Sequence, residues 1–171
     1  AASTCKFLGL DSVIAIGGDG TFRGAQALSK FGVNVIGIPA TIDNDIGCTN
    51  YCLGFDTAAN TAIDCIDKLR DTMQSHERCS VVEVMGRHAG FLAMYVGLAV
   101  GATAVLVPEN PISDEELIET IRRARLGGFS HYMVVVAEGA APAHKVAAKI
   151  KEATELDPRV TVLGHIQRGG D

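Results

Sequence analysis

Residues 13–21 read Val-Ile-Ala-Ile-Gly-Gly-Asp-Gly-Thr, an apolar run that ends abruptly in glycines, one aspartate and one threonine. Buried parallel strands have this apolar character, and ligands of open α/β sheets bind beyond the carboxyl ends of such strands. Glycines there let backbone N–H groups approach an anion, and the following helix adds its positive N-terminus. Asp19 would repel a phosphate unless a cation lay between them, so the stretch predicts a nucleotide held partly through Mg²⁺. The alternative is a tight turn in which Asp19 caps the helix.

A second strand pattern, at 33–38, leads into Pro-Ala-Thr-Ile-Asp-Asn-Asp at 39–45. Asp43 and Asp45 repel each other at this spacing, and such a pair usually requires a cation or a shared chemical task. One carboxylate could act as a general base while the other serves as a metal-side ligand. An Asx-rich surface turn is the alternative. It is weakened because both clusters end consecutive strands.

The composition restricts the function classes. A net charge of −5 and a pI near 5.5 argue against a nucleic-acid partner. No segment reaches the roughly 18 apolar residues that suggest a membrane span. The five cysteines are scattered without a Cys-x-x-Cys pair, which favours a reduced, cytoplasmic compartment. Abundant aliphatic residues and glycine with few aromatics suit an α/β protein.

The rest of the chain alternates strand and helix patterns, which implies a parallel sheet with right-handed crossovers. Ser113 followed by Glu116 indicates a capping box at the start of one helix. The predicted strands are 13–17, 34–38, 80–85, 104–107, 132–137 and 160–164, and the predicted helices are 21–31, 55–75, 89–100, 114–126 and 143–154.

Five motifs follow one another along the chain: Gly-Gly-Asp-Gly-Thr at 17–21, Pro-Ala-Thr-Ile-Asp-Asn-Asp at 39–45, Met-Gly-Arg at 85–87, Ala-Glu-Gly at 137–139 and Leu-Gly-His-Ile-Gln-Arg-Gly-Gly at 163–170. In this order they resemble the bacterial type of the ATP-dependent 6-phosphofructokinase family. The first motif alone also occurs in NAD kinases and diacylglycerol kinases. NAD kinases lack the last motif, so this rival family is disfavoured.

The resemblance implies two Rossmann-like parallel-sheet α/β domains with the active site in the cleft between them. Residues 1–54 would belong to the nucleotide (ATP) domain, 55–166 to the sugar-phosphate domain, and 167–171 would begin the return to the nucleotide domain. Chains of this family are considerably longer, so this sequence resembles their central part. We therefore expect the isolated 171-residue stretch to be inactive.

The implied reaction transfers the γ-phosphoryl group of ATP to the 1-hydroxyl of fructose 6-phosphate and gives fructose 1,6-bisphosphate, a step of glycolysis. Asp43 matches the family's base, while Arg87 and Thr41 match groups that contact the transferring phosphoryl. The cofactor-binding positions would be Gly18, Asp19, Gly20 and Thr21, with Asp19 and Asp45 on the Mg²⁺ side. The substrate-binding positions would be Thr41, Asp43, Asp45, Arg78, Met85, Gly86, Arg87, Glu138, Arg159, His165 and Arg168.

The resemblance also implies a homotetramer, in which the arginines that match Arg78 and Arg159 reach the 6-phosphate of a neighbouring chain. Arg70 matches an arginine of the family's allosteric nucleotide site. Thr103, Gly127 and Phe129 stand where that site has a glutamate and two lysines. The loss of a carboxylate and two cations should weaken nucleoside-diphosphate binding there.

Two alternatives stay open at this point. A pyrophosphate-dependent phosphofructokinase would carry Asp at the position of Gly20 and Lys at the position of Ala40, but both positions are small and uncharged here. A non-catalytic regulatory subunit that binds sugar phosphate would commonly have lost the base. Asp43 is present, which disfavours that alternative.

Overall fold

A computed structural model of the chain describes residues 1–74 and 78–169. Helices and strands alternate along it, and a short 3₁₀ helix, Gly164–Arg168, follows the last strand. The strands are β1 Ser12–Gly17, β2 Asn34–Pro39, β3 Cys79–Val84, β4 Ala104–Leu106, β5 Tyr132–Ala137 and β6 Arg159–Val162. The α-helices are α1 Ala2–Phe7, α2 Asp19–Lys30, α3 Phe55–Gln74, α4 Phe91–Ala99, α5 Asp114–Leu126 and α6 Ala143–Ala153.

The strands form two parallel sheets. β1 and β2 make a two-stranded sheet, in which Ser12 lies opposite Asn34 and Gly17 opposite Pro39. The other four strands make a second sheet in the order β4-β5-β3-β6, again with every neighbouring pair parallel. The alternation of strand and helix therefore yields the parallel α/β class that the sequence predicts.

The four-stranded sheet is covered by helices on both faces, so its central strands β3 and β5 are mostly buried and apolar. On one face, Val82 and Val135 pack in a cluster with residues of α3 and α4. On the other face, Val81 and Val134 pack in a cluster with residues of α5 and α6. Because consecutive strand residues point to opposite faces, β3 and β5 each contribute to both clusters.

The observed boundaries differ from the predicted ones in a few places. α2 begins at Asp19 because Gly18 takes the N-cap position directly after β1, so the helix starts two residues earlier than predicted. α4 begins after Gly90, because residues 86–90 form a turn instead of helix. β6 ends at Val162, where the chain enters the 3₁₀ helix that was predicted partly as strand.

Some predictions of detail can be compared directly with the structure. The capping interaction of α5 is present, since Ser113 Oγ accepts a hydrogen bond from the Glu116 N–H at 3.2 Å. Helix α1 was not predicted, and it has neither a side-chain cap nor a buried residue that would have produced a pattern. The predicted end of α3 at 75 and the last two residues of the segment 167–171 lie outside the described residues. In the described part of the chain, no helix is both long and apolar enough to cross a membrane.

Candidate active site

A cleft of about 420 Å³ lies beyond the carboxyl ends of β1, β2 and β3. Its walls come from both sheets, since Gly18 follows β1, the segment 40–43 follows β2 and Met85 follows β3. Parallel strands bring their carboxyl ends to one edge, which is where ligands of open α/β sheets bind. The residues that line the cleft are Gly18, Ala40, Thr41, Ile42, Asp43, Leu53, Gly54, Thr57, Met85 and Arg168.

The glycines after β1 allow this loop to pack closely against its neighbours. A Cβ on Gly17 would lie 2.3 Å from Thr21 Oγ1, and one on Gly18 would lie 3.1 Å from the Cβ of Thr41. The two strand-end segments are also tied by a hydrogen bond from the Ala40 N–H to the Gly17 carbonyl, at 2.9 Å. Gly18 therefore lets the two strand ends lie close together, because a Cβ there would crowd Thr41.

The predicted nucleotide loop is only partly inside the cleft. Gly18 lines it, whereas Asp19, Gly20 and Thr21 form the first turn of α2 beside it. The Asp19 carboxylate pairs with Arg23, whose Nε donates to Oδ1 at 3.1 Å and whose Nη2 lies 3.0 Å from Oδ2. A surface pair of this kind contributes little to stability and is easily exchanged for another partner.

The turn after β2 fixes the positions of the two aspartates. Thr41 Oγ1 accepts a hydrogen bond from the Asp43 N–H at 3.2 Å. Asn44 adopts φ +53°, its Oδ1 accepts from the Cys52 N–H at 2.8 Å, and its Nδ2 donates to the Asn50 carbonyl at 3.1 Å. Sequence reasoning assigned no part to Asn44. Its tolerance of left-handed backbone was the signal that could have identified it.

Asp43 lies at the centre of a charged cluster. Its burial raises the pKa of the carboxyl, and the negative charges of Asp45 and then Glu138 raise this pKa further. The positive charges of Arg87 and Arg168 act in the opposite direction and offset part of the increase in the pKa. A half-buried carboxylate with a raised pKa, beside two guanidinium groups, has the properties of a general base near developing negative charge.

The turn after β3 presents the exposed Arg87 to this cluster. Gly86 and Arg87 both have positive φ, +144° and +55°. Glu138, the residue after β5, accepts hydrogen bonds through Oε1 from the Gly86 N–H at 3.2 Å and the Arg87 N–H at 2.7 Å. Glu138 is therefore bound to the turn that carries Arg87.

The 3₁₀ helix brings Arg168 to the cleft and carries an exposed His165 on the same turn. The helix packs on α3, and Gln167 between these residues is fully buried. Both polar atoms of the Gln167 amide lack a hydrogen-bond partner among the described residues. Sequence reasoning quoted this glutamine within its motif but gave it no role.

Arg78 and Arg159 lie apart from the cleft. Arg78 precedes β3 and Arg159 begins β6, so both occupy the amino-terminal edge of the four-stranded sheet. Both arginines lie near Asp157. The pKa of Asp157 is lowered mainly by Lys151, and the positive charges of Arg159 and Arg78 lower it further. Arg159 Nη2 lies 3.1 Å from the Asp157 carboxylate. A six-residue strand spans roughly 20 Å, so the cleft is on the opposite edge.

The carboxylates beside the cleft suit an ion that is held mainly by phosphates. Within residues 1–74 and 78–169, no group of three or more His, Cys, Asp or Glu side chains could hold a metal by itself. Asp45 is exposed next to Asp43, and the Asp19 carboxylate pairs with the solvent-exposed Arg23. Mg²⁺ in kinase sites takes one or two carboxylates and completes its shell with substrate phosphates and water. This donor set fits that arrangement.

A second cavity, of about 450 Å³, is separate from the cleft. Arg70, Thr103 and Phe129 line it, whereas Gly127 does not. Arg70 Nη2 donates to the Val100 carbonyl, and Thr103 Oγ1 accepts from the Met133 N–H at 3.2 Å. No carboxylate is among the described residues that line this cavity.

Comparison with known proteins identifies the relatives of this chain. The sequence model described as Phosphofructokinase matches residues 1–171. The chain is 53% identical over 170 residues to ATP-dependent 6-phosphofructokinase 1 of Clostridium perfringens, covering 99% of this chain and 53% of that protein. It is 51% identical to ATP-dependent 6-phosphofructokinase of Clostridium botulinum, with the same coverage. The chain thus spans about half the length of the curated relatives that it matches.

Solved structures agree with the fold. Phosphofructokinase from Saccharomyces cerevisiae superposes with a TM-score of 0.90 at 32% identity, covering 99% of this chain and 27% of that one. Pyrophosphate-dependent phosphofructokinase from Nitrosospira multiformis superposes with a TM-score of 0.85 at 26% identity, covering 98% of this chain and 48% of that one.

Proposed function

Since the chain belongs to the phosphofructokinase family, we propose that the full-length protein transfers the γ-phosphoryl group of ATP to the 1-hydroxyl of fructose 6-phosphate, in the cytoplasm, as a step of glycolysis. The observation that carries the proposal is the position of Asp43, half-buried in a cleft between two sheets and within electrostatic range of Arg87 and Arg168. A base for the hydroxyl and cations for the phosphoryl group are the parts that this reaction requires.

In this proposal Asp43 accepts the proton of the 1-hydroxyl as the oxygen attacks phosphorus. The Thr41 hydroxyl, which lines the same cleft, hydrogen-bonds the phosphoryl group, and Arg87 stabilises the negative charge that develops on it. Gly18, Gly20 and Thr21 contribute to the phosphate cradle next to the N-terminus of α2.

Asp45 and Asp19 are the residues that would hold Mg²⁺ together with the phosphates of ATP. When bound, the ion supplies neutralisation of phosphate charge. Asp45 is free to take this part because its side chain is exposed, and Asp19 can do so by exchanging its pair with Arg23.

The sugar phosphate is bound from the side of the four-stranded sheet. Arg168 and His165 on the 3₁₀ helix supply donors, Met85 and Gly86 form part of the sugar pocket, and Glu138 accepts from a sugar hydroxyl. Arg78 and Arg159 lie at the opposite edge of the sheet from the cleft, which supports the supply of these arginines to the 6-phosphate by a neighbouring subunit. We propose that the assembly is a homotetramer, as the family resemblance implies.

Two small positions support ATP over pyrophosphate as the phosphoryl donor. Ala40 lines the cleft, and a Cβ on Gly20 would meet nothing within 4 Å, so space remains where a nucleotide needs it. An aspartate at the position of Gly20 would crowd and repel the α-phosphate of ATP. A lysine at the position of Ala40 would fill the space and pair with a terminal phosphate. The relatives with the ATP-dependent name are also more similar, at 53% identity compared with 26% for the pyrophosphate-dependent structure.

The test is a comparison of phosphoryl donors in the full-length protein. We expect kcat/KM with fructose 6-phosphate to be far higher with ATP and Mg²⁺ than with pyrophosphate. The variant Gly20→Asp with Ala40→Lys should reverse part of this preference. A parent protein that prefers pyrophosphate, or that binds fructose 6-phosphate without turnover, would contradict the proposal. The isolated 171-residue chain is the comparison sample, and we expect no steady turnover from it.

A second experiment tests the shared site. Arg78→Ala and Asp43→Ser proteins, each inactive alone, are mixed and allowed to exchange subunits. Some mixed sites would then combine an intact Asp43 with an intact neighbouring Arg78, so activity should partly return. If exchange occurs and no activity returns, the site is contained in one chain.

A further inference from the structure

The turn after β3 holds an unusual backbone at the residue that carries the proposed catalytic guanidinium. Arg87 has φ +55° and the preceding Gly86 has φ +144°. A residue with a Cβ rarely adopts positive φ, because the Cβ comes too close to the following carbonyl oxygen. Among the described non-glycine residues, only Asn44 shares this conformation. Surrounding contacts must therefore hold Arg87 in place.

Glu138 supplies the most direct of these contacts. Its Oε1 accepts from the Arg87 N–H at 2.7 Å and from the Gly86 N–H at 3.2 Å. Bonds to an ionised acceptor are shorter and stronger than bonds between neutral groups. Glu138 is anchored in turn, because its own N–H donates to the Val84 carbonyl at 2.9 Å and extends the pairing of β3 with β5.

Gly139 brings the loop after β5 directly against the same turn. A Cβ at position 139 would lie 2.2 Å from the Arg87 carbonyl oxygen and 3.2 Å from the His88 Cα. The turn is closed on itself by a hydrogen bond from the Ala89 N–H to the Gly86 carbonyl, at 2.8 Å. The backbone of Arg87 is thus fixed from the adjacent strand and from within its own turn.

We propose that Glu138 is a positioning residue for Arg87. The Oε1 of Glu138 holds the strained turn, and its Oε2 is left for the substrate. The inference rests on the proposed function and deepens it, because the family resemblance implies only a sugar contact for Glu138. Both backbone bonds use the same oxygen, so the two roles are compatible. Glu138 would therefore connect the bound sugar to the Arg87 guanidinium, which acts on the phosphoryl group.

Substitutions at Glu138 separate the two roles. Glu138→Gln keeps an oxygen that can accept both backbone bonds, while it removes the charge and one of the two acceptor oxygens. Glu138→Ala removes the whole carboxylate, with its charge and both acceptor oxygens. Gly139→Ala pushes on the Arg87 carbonyl without changing a group that contacts substrate. Gly24→Ala is its matched control, because a Cβ there meets nothing within 4 Å.

Kinetics of the full-length protein with ATP, Mg²⁺ and fructose 6-phosphate give the first test. We expect Glu138→Ala to lower kcat by about 10²-fold, the size of effect of a lost transition-state donor. The kcat of the double variant Glu138→Ala with Arg87→Ala should lie within about threefold of the kcat of Arg87→Ala alone, because the two changes remove the same interaction. Glu138→Gln should keep kcat within about threefold and raise KM for the sugar phosphate. Gly139→Ala should lower kcat, and Gly24→Ala should not.

A role limited to sugar binding gives a different pattern. Glu138→Ala would then raise KM with little effect on kcat, and its effect would add to that of Arg87→Ala. Either result would overturn the proposal.

Amide hydrogen exchange tests the geometry without any substrate. In Glu138→Ala the Arg87 amide should exchange at least about tenfold faster than in the parent, because it loses its acceptor, while β3 amides keep their protection. In Glu138→Gln the Arg87 amide should exchange more slowly than in Glu138→Ala, because the amide oxygen of the glutamine still accepts the bond. Unchanged exchange of Arg87 in Glu138→Ala overturns the positioning role even in an active kinase. Faster exchange in a protein without kinase activity upholds that role and overturns only the proposed function.

Discussion

The two sheets of this chain differ sharply in how far they are buried. In the four-stranded sheet, Val81, Val82 and Val135 are fully buried between helices. In the two-stranded sheet, Ile14 and Ile16 are 60% and 62% exposed, and α2 beside it has no buried residue. Nevertheless, the proposed base follows the less buried sheet, while the proposed phosphoryl-binding arginine follows the more buried one.

Within this chain, which spans about half the length of its curated relatives, the difference places most of the apolar burial away from the proposed base. Apolar burial is the main favourable term in folding, so the four-stranded sheet and its helices supply most of the stability of this chain. The two-stranded sheet contributes the turn with Asp43 and Asp45, whose negative charges repel each other. Functional groups of this kind lower stability where they stand, and the rest of the fold must tolerate the loss.

The largest expected effect is on turnover. Asp43→Asn in the full-length protein should lower kcat by about 10²–10⁴-fold, because the proposed general base is lost while the shape of the side chain is kept. Asp11→Asn, at an exposed aspartate before β1, is the matched control and should leave kcat unchanged. Steady-state kinetics measures kcat. If Asp43→Asn kept kcat within a few-fold of the parent, Asp43 would not be the general base.

The same variant tests the stability side of the comparison. The pKa of Asp43 is raised in the folded chain, so its ionised form opposes folding above that pKa, and this cost disappears below the pKa of the unfolded chain. Asp43→Asn should therefore leave the free energy of unfolding at pH 7 unchanged or raised. Urea unfolding measures it, and a clear loss of stability would contradict the unfavourable environment that we assign to Asp43.

The next effect compares the same residue type in the two regions. Ile66→Ala, at a fully buried position of α3, should lower the free energy of unfolding of this chain by about 2–5 kcal/mol. Ile16→Thr keeps a β-branched side chain at an exposed strand position and should change the free energy of unfolding by less than about 0.5 kcal/mol. Urea unfolding of both variants makes the comparison, and equal losses would show that the two sheets share one core.

The sequence predicted the strands and helices well where their apolar patterns are strong. β5 and α5 have their predicted bounds, because a fully buried strand and a capped amphipathic helix each leave a clear pattern. The short α1 and the 3₁₀ helix left none. The apolar pattern alone could not show that β1 and β2 would form a sheet separate from the other four strands, because strand pairing depends on packing among distant residues. That separation was expected only from the family resemblance.

The motifs named residue types for the candidate site, and the structure shows which of these residues lie together. The motifs pointed to Asp43 and Arg168, which do line one cleft. They gave no indication that Glu138 would bind the backbone of Arg87, or that Asn44 would hold the turn between the two aspartates. Such hydrogen bonds depend on the relative positions of loops that are far apart in sequence.

A smaller effect concerns the acidic limb of the pH dependence. Asp45, on the side of the two-stranded sheet, raises the pKa of Asp43, whereas Arg168, on the other side, lowers it. Asp43 must be ionised to act as a base, so activity is lost as the pH falls through its pKa. Asp45→Asn should move the acidic limb of kcat/KM to lower pH, and Arg168→Gln should move it to higher pH. Shifts in the same direction would show that another group controls this limb.

The last expected effect concerns a buried polar side chain under the 3₁₀ helix, in the well-packed region of the chain. Gln167 is fully buried, and its amide oxygen and nitrogen have no partner among the described residues. An unsatisfied buried polar group costs about 1–3 kcal/mol, so an apolar side chain of similar shape should remove that cost. Gln167→Leu should therefore raise the free energy of unfolding of this chain by about 1 kcal/mol, and Gln167→Glu should lower it, because a buried charge without a partner is worse still. Urea unfolding at pH 7 compares the two. A loss of stability in Gln167→Leu would mean that the amide makes hydrogen bonds in solution, through buried water, and that the stable sheet contains a polar contact after all.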